Sequence, residues 1–185
     1  MGDSLLFLYE TNRLIIRDML PDDTTGMFLL DSDPRVHLYL GNKPVRSIKK
    51  VQENIKKIRQ QYREHGTGRW AVIEKETTEF IGWAGIKYET RVQPFPYYDL
   101  GYRLRPEFWG RGIATECAAV ALQYGFSTLE LEQIHAAASV NNIASNKVLL
   151  RSGLRFKHLF EFDKETHNWY QIDRSEWEAQ KNITL

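Results

Sequence analysis

The sequence predicts one domain of the α+β class, with a largely antiparallel sheet that carries helices on its faces. Predicted strands and helices follow one another in a mixed order rather than in strict alternation, and this order favours antiparallel pairing. The 185 residues suffice to bury one core. We expect residues 1–185 to form a single domain, because no repeat, low-complexity stretch or linker interrupts them.

The first half of the chain is predicted to form a strand, three helical segments and a hairpin. The longest helix has the clearest boundaries, because Ser47 is a favourable N-cap and Gly66 a favourable C-terminal stop. Its apolar residues recur at helical spacing. The predicted ranges are 8–18 for the strand, a short helix through 27–30, a second helical piece at 35–40, the long helix Ile48–His65, and strands at 69–75 and 80–88.

The second half is predicted to contain a strand that runs through a glycine turn into a helix, followed by a strand, a helix and a final hairpin. Leu100, Tyr102 and Leu104 alternate with polar residues and glycine, a period that is typical of a strand. Pro106 ends that strand because proline has no N–H to donate. The later ranges are 132–140 for the strand, 141–152 for the helix, and 154–163 and 167–173 for the hairpin.

The glycine turn, Gly110-Arg111-Gly112, is the first candidate binding site. A strand that turns directly into a helix directs unpaired N–H groups and the positive end of the helix dipole at one point, where an anion fits. A nucleotide-hydrolase phosphate loop is excluded because its Lys-Ser/Thr pair is missing. The match to the dinucleotide-binding fingerprint G-x-G-x-x-G is weakened, because Thr115 occupies the position of its third glycine.

Composition and charge exclude several classes of protein. A formal net charge of +1 gives no basis for a nucleic-acid or membrane binder. The five histidines have no metal-ligand spacing, so we expect no metal, and the lone Cys117 allows no internal disulfide. Residues 1–9 lack the basic start of a signal peptide, and no apolar run is long enough to span a bilayer. We therefore expect a cytoplasmic protein, a monomer or a homodimer.

Two motifs resemble those of a known family. The run P-E-x-W-G-x-G-x-A-T-E from Pro106 to Glu116 resembles the pyrophosphate loop of the GNAT superfamily of acyl-CoA N-acyltransferases. The run N-x-x-S-x-x-V-L-x-x-x-G-L from Asn142 to Leu154 resembles the family's second motif, with Leu154 in place of Phe. The opening T-x-R-L-x-x-R at Thr11 is similar to the start of the RimJ/RimL-like branch. Two ordered motifs are more specific than either alone.

The resemblance implies a fold and a reaction. The fold is a central, twisted, mostly antiparallel sheet of about seven strands with helices on both faces. The reaction is direct attack of a neutral primary amine on the thioester of acetyl-CoA, and the amine belongs to a protein N-terminus or to a small molecule. Many members place a tyrosine acid where this chain has Leu149, so Ser145 is the remaining candidate catalytic acid. Among Asp99, Glu89 and Glu161, no base stands out.

The resemblance also implies the residues that bind the cofactor. Backbone groups of the strand that contains Tyr102 and Leu104 would pair with the pantetheine arm. The neighbouring strand, at 132–140, would diverge from it and leave a gap for the thioester, and an N–H near Leu104 would donate to the thioester oxygen. The turn would hold the pyrophosphate, with the Arg111 side chain adding charge. The predicted cofactor-binding residues are Tyr102, Arg103, Leu104, Gly110, Arg111, Gly112, Ile113, Ala114, Thr115 and Asn142.

Two rival functions stay open at this point. A GNAT-like domain that binds CoA without catalysis, as a sensor or interaction module, agrees with the missing tyrosine. A nucleotide-binding protein that uses the same glycine turn would prefer ATP or NAD to CoA. Fold alone does not decide between these functions.

Overall fold

The computed structural model describes residues 7–183, and side chains as far as Lys181. Most of the segment on which the signal-peptide expectation depends, residues 1–6, lies outside the described residues. Between residues 7 and 183, no helix combines the length and apolar character that crossing a membrane requires.

Eight strands form one sheet, in the order β1-β2-β3-β4-β5-β6-β8-β7. All neighbours pair antiparallel except β5 and β6, which are parallel. This mixed, mostly antiparallel sheet confirms the predicted fold class, with one strand more than the expected seven. The strands are β1 Leu8–Glu10, β2 Leu14–Arg17, β3 Arg69–Glu74, β4 Phe80–Glu89, β5 Tyr97–Leu104, β6 Gln133–Ser139, β7 Arg155–Phe162 and β8 Glu165–Asp173.

Five α-helices cover the sheet in the described part of the chain. The first two precede β3, and the other three follow β5. Helix 48–65 has the predicted ends, because Ser47 accepts a hydrogen bond from Lys50 N and Gly66 adopts φ +68°. The helices are α1 Thr24–Ser32, α2 Ile48–His65, α3 Ile113–Ser127, α4 Ile143–Arg151 and α5 Arg174–Ile183.

The core lies between α3 and the middle of the sheet. Gly125 of α3 faces Ile86 and Ile134 so closely that a Cβ there would come within 2.6 Å of both side chains. Phe126 is 2% exposed, and truncation of such a buried ring to Ala costs about 3–5 kcal/mol. Gly125 and Phe126 belong to the last turns of α3, so this packing holds the C-terminal end of the helix against β4 and β6.

The N-terminal region corrects two predictions. Residues 8–18 form two strands rather than one, because Thr11 makes a turn in which its N–H donates to Leu14 O at 3.0 Å and its Oγ1 accepts from Leu14 N at 2.9 Å. The helical piece predicted at 35–40 is a series of turns with bonds such as His37 N to Pro34 O. Six residues after a proline are too few to nucleate a stable helix.

The C-terminal helix α5 was missed by the sequence analysis, which ended its last element at Asp173. Asp173 N donates to Glu176 Oε2 at 3.1 Å, which is half of a capping box. The D-x-x-E pattern at residues 173–176 was therefore an available signal for a helix start. Both ends of the final hairpin were predicted to within about two residues.

Candidate active site

The sheet opens between β5 and β6. The single registered pair between these strands in residues 7–183 is Asp99 opposite His135, near the start of both. Beyond it β5 continues to Leu104 along β4, and β6 continues to Ser139 along β8. The two strands therefore separate toward their C-terminal ends and leave a gap beside β5.

Backbone groups of β5 alternate between β4 and this gap. Arg105 N donates to Ile81 O at 2.9 Å, and the register with β4 is regular over the whole strand. Because bonded and non-bonded pairs alternate in an antiparallel ladder, Arg103 directs its backbone groups to β4, whereas Tyr102 and Leu104 direct theirs into the gap. The pantetheine contacts of Tyr102, Arg103 and Leu104 stay a prediction, and within this register Tyr102 and Leu104 are the two whose backbone groups face the gap. The Leu104 carbonyl accepts from Trp109 Nε1 at 2.7 Å, so its N–H is the group that faces the gap.

The glycine turn leads from the end of β5 into α3. Gly110 and Gly112 adopt φ +73° and +74°, the left-handed region that side chains disfavour. The first helical bond runs from Glu116 N to Gly112 O, so the N–H groups of Ile113, Ala114 and Thr115 have no partner within the helix. A Cβ at Gly110 would meet nothing within 4 Å. The turn therefore presents open backbone donors, as an anion site requires.

Two arginines lie at this turn, and only one of them was predicted as a site residue. Arg111 pairs with the buried Glu74 of β3 at 2.6 Å, so a phosphate contact from its side chain requires that this pair open. Arg13 bonds the Arg111 carbonyl at 2.9 Å and pairs with Glu116 at 2.7 Å. Its guanidinium lies 3.7 Å from the position of a Cβ on Gly112. Arg13 thus adds positive charge at the turn. Arg13 belongs to the opening motif T-x-R-L-x-x-R, but the sequence analysis gave that motif no role in binding.

Helix α4 brings its first turn to β5. Asn142 caps this helix by accepting a hydrogen bond from Ser145 N at 3.1 Å. The Tyr102 hydroxyl donates to the Ser145 carbonyl at 3.0 Å and lies 3.1 Å from Ser145 Oγ. Burial raises the pKa of Tyr102, so its phenol stays protonated at neutral pH. Leu149 is 1% exposed and packs in the core.

Asn146 holds α4 against β6 and β8, and the sequence analysis missed it. Its Nδ2 donates to Ser139 O at 2.9 Å and to Asn142 O at 2.8 Å. Its Oδ1 accepts from Tyr170 and Asn168, each at 2.8 Å. This buried amide therefore ties the first turn of α4 to the end of β6, at the edge of the gap.

The opposite face of β5 carries a cluster of paired charges. Arg103 pairs with Asp31 of α1 at 2.6 Å, and its guanidinium lies 4.9 Å from the ring of Trp83. Arg69 lies over the same ring at 5.2 Å and binds Asp99. The side chains of Tyr102 and Arg103 therefore point to opposite faces of the sheet beside the gap.

The three acids considered as bases are already engaged. Asp99 is held by the buried Arg69 guanidinium. Burial alone would raise the pKa of Glu89, but Lys87 and two backbone N–H groups outweigh it and lower that pKa to about 2. Glu161 accepts from Thr166. In the described residues, no group of three or more His, Cys, Asp or Glu side chains is arranged to hold a metal ion.

Comparison with known proteins identifies relatives of this arrangement. Residues 13–155 match the family model described as an acetyltransferase (GNAT) domain. The N-acetyltransferase YoaA of Bacillus subtilis, named as uncharacterized, is 32% identical over 148 residues, which cover 80% of this chain and 82% of YoaA.

Two solved structures show the same fold at low identity. Ribosomal-protein-S5-alanine acetyltransferase from Vibrio fischeri has a TM-score of 0.75 at 20% identity, over 92% of this chain and 98% of its own. Spermidine N-acetyltransferase from Vibrio cholerae, solved with CoA and spermine, has a TM-score of 0.75 at 18% identity, over 91% and 99%.

Proposed function

Because the chain belongs to the GNAT acetyltransferase family, we propose that it transfers the acetyl group of acetyl-CoA to a primary amine by direct attack in a ternary complex. The single observation that carries this proposal is the gap between β5 and β6, which leads from Tyr102 and Leu104 to the open N-terminus of α3. That arrangement offers strand-like pairing to an extended arm and an anion site at one end of it.

Acetyl-CoA would be held mainly by backbone groups. The N–H groups of Gly110 to Thr115 would bind the pyrophosphate, where glycine leaves the approach open and Arg13 adds charge. Tyr102 and Leu104 would pair with the pantetheine. The Leu104 N–H would also donate to the thioester oxygen as negative charge develops on it. The capping Asn142 keeps its amide Nδ2 for the pantetheine or the acceptor.

Ser145 is the proposed acid for the departing thiolate. Its Oγ lies on the Tyr102 side of the sheet, 3.1 Å from a phenol that stays protonated at neutral pH. The amine nitrogen forms a bond to the thioester carbon, the carbon–sulfur bond breaks, and the sulfur takes a proton from the serine–tyrosine pair. Tyr102 is the second hydroxyl of this hydrogen-bonded pair and lies next to Ser145 Oγ.

The acceptor is a protein N-terminus, as for a RimJ/RimL-like enzyme, or a small-molecule amine. The S5-alanine enzyme and the spermidine enzyme have the same TM-score with this chain, so fold similarity favours neither class. A net charge of +1 likewise creates no strong attraction to a very basic or a very acidic acceptor.

A panel of amines tests this function. Thiol release from acetyl-CoA is measured with peptides that begin in Ala or Ser, with spermidine and with an amino sugar, and the N-acetylated form of each compound is the control. Release above the basal rate with a free amine, and none with its acetylated form, is the expected result. Binding of acetyl-CoA without release on any amine would instead favour a CoA-binding module without catalysis, for which the buried Leu149 in the tyrosine position is the supporting observation.

A further inference from the structure

A cavity at the start of β5 and β6 has no role in the proposed acetyl transfer. It encloses about 600 Å³, which is within the usual range for sites that bind small organic molecules. One side of it is formed by the ring side chains of Phe95, Tyr97, His135, His158 and Trp169. Such a wall of rings favours a ligand that is itself flat and apolar.

This cavity is separate from the proposed thioester site. Asp99 and His135 form the registered pair of β5 and β6, and the two strands diverge from that pair toward Leu104. The five residues of β5 that follow Asp99, up to Leu104, span about 17 Å. A group in the cavity therefore lies at the closed end of the gap, too far from the Leu104 N–H to take part in acetyl transfer.

The rings of the cavity wall pack around Trp169. The centroid of its indole lies 4.7 Å from the ring centroid of Tyr97 and 5.1 Å from that of His135. Phe95 approaches it edge-on, with the ring centroids 6.4 Å apart. Trp169 is 2% exposed, whereas Phe95 is 48% exposed. The wall therefore has a buried base and one exposed ring against which a ligand ring can pack.

His135 offers a hydrogen-bond donor to the cavity. Its Nδ1 is enclosed and has no hydrogen-bond partner among the described residues, whereas its Nε2 is not enclosed in this way. Burial lowers the pKa of His135, so the ring is neutral at pH 7 and has one N–H group. A buried N–H group without a partner is rarer than a buried acceptor without one, so the proton belongs on Nε2.

Lys157 adds a positive charge at the rim of the cavity. Its side chain is exposed, and it forms no ion pair within the part of the chain that the structure describes. The acidic residue on the rim, Glu132, lies 3.5 Å from Nε of Arg174. Lys157 and the His135 donor therefore both favour a negatively charged acceptor group on the ligand.

We propose that this cavity binds a small aromatic carboxylate. The aromatic ring packs against Phe95 and Tyr97, and the carboxylate accepts hydrogen bonds from Lys157 Nζ and His135 Nε2. Such a ligand needs no amine and lies away from the thioester, so it is not the acetyl acceptor. The site is additional to the one proposed for acetyl-CoA.

Titration calorimetry with 2-naphthylacetate tests the class of ligand. The neutral 2-naphthylacetamide lacks the charge of this compound, and acetate lacks its rings. We expect one 2-naphthylacetate to bind per chain with a Kd below about 1 mM, and both control compounds to bind at least about fivefold more weakly. Absence of binding below about 1 mM, or equal affinity for either control compound, would overturn the proposal.

Substitutions of two exposed residues test the location. Lys157→Gln and Phe95→Ala should each weaken the binding of 2-naphthylacetate about fivefold, because they remove the rim charge and the exposed ring. The matched controls are Lys56→Gln on α2 and Phe156→Ala, whose 49% exposed ring lies beside Tyr170 on the α4 face of the sheet. Both controls should keep wild-type affinity. A cavity variant that binds as tightly as its control would contradict the location.

A titration in saturating CoA separates this proposal from the proposed acetyl transfer. We expect 2-naphthylacetate to bind with unchanged stoichiometry, because the two sites are apart. Loss of its binding in the presence of CoA would place the compound in the CoA site and would overturn the proposal. Absence of CoA binding together with binding of 2-naphthylacetate would contradict acetyl transfer and support the cavity site.

Discussion

At the scale of residues, the site depends on a few side chains that lie on both sides of one strand. Tyr102 reaches Ser145 on one face of β5, and Arg103 reaches Asp31 on the other. The alternation of a β-strand places neighbouring residues on opposite faces, so one short segment can serve the donor side and the acceptor side. Single substitutions can therefore alter one side of β5 without changing the residues on the other side.

Ser145→Ala should lower kcat by about 100-fold while the KM for acetyl-CoA changes little, because an acid acts in the transition state. The fold should persist, since Tyr102 keeps its bond to the Ser145 backbone carbonyl. Ser152→Ala is the matched control at the far end of α4 and should keep the wild-type kcat. A raised KM with unchanged kcat would contradict the assigned role.

Arg13→Ala should weaken CoA binding about threefold at low salt, because it removes a half-exposed charge at the glycine turn. The effect should shrink at 0.5 M salt, where screening is stronger. Calorimetric titration with CoA at two salt concentrations measures this, and Arg155→Ala, which removes an exposed pair with Glu176, is the control. Equal affinity in both variants would show that Arg13 does not act on the phosphates.

At the scale of elements, the sequence predicted helix boundaries and turns correctly where a capping residue or a glycine determines the backbone conformation. The boundaries of α2 follow from a capping serine and a left-handed glycine, and the turn before α3 follows from Gly110 and Gly112. The sequence analysis did not name Arg13 and Asn146, which lie beside the candidate site, because their contacts join elements that are far apart in the chain. Such contacts depend on how the sheet closes, which local periodicity does not determine.

Two of the errors have different physical origins. The turn at Thr11 is a side-chain-to-backbone arrangement that a strand pattern hides, because the apolar alternation continues on both sides of it. Residues 35–40 hold no helix because six residues after Pro34 are too few to nucleate one, and they form local turns instead, such as Leu40 N to His37 O at 3.0 Å. The helical pattern of this segment was therefore too short to be decisive.

Gly112→Asp should abolish detectable CoA binding, since it places bulk and negative charge among the donors of the turn and strains a residue at φ +74°. Gly66→Asp is the matched control, because Gly66 has φ +68° at the end of α2, away from the site. Both variants should lose about 1 kcal/mol of stability. Retained CoA affinity in Gly112→Asp would mean that the site lies elsewhere.

At the scale of the whole molecule, stability should depend on pH through Glu89 at the end of β4. Its folded-state pKa of about 2 lies below the roughly 4.3 of an unfolded glutamate. The stabilisation is therefore complete above about pH 5 and is lost as the pH falls toward 2. Its size is about 3 kcal/mol at neutral pH.

Glu89→Gln should lower the free energy of unfolding by about 3 kcal/mol at pH 7, and the difference from wild type should shrink below pH 4.5. Urea unfolding between pH 7 and pH 3 measures this. Glu53→Gln, which alters an exposed pair with Lys50 on α2, should change stability by less than about 0.5 kcal/mol. A Glu89 effect that is independent of pH would mean that its ionisation does not stabilise the fold.

The central claim is that the gap between β5 and β6 and the N-terminus of α3 bind acetyl-CoA, and the melting temperature measured with ligands tests it most directly. Acetyl-CoA, CoA, ATP and NAD are each added at about 1 mM. A ligand at 100 times its dissociation constant adds about 2.7 kcal/mol, which raises the melting temperature by several degrees. We predict this rise with acetyl-CoA and CoA and none with ATP or NAD. No rise with either CoA compound, or a rise with ATP or NAD alone, would contradict the assignment.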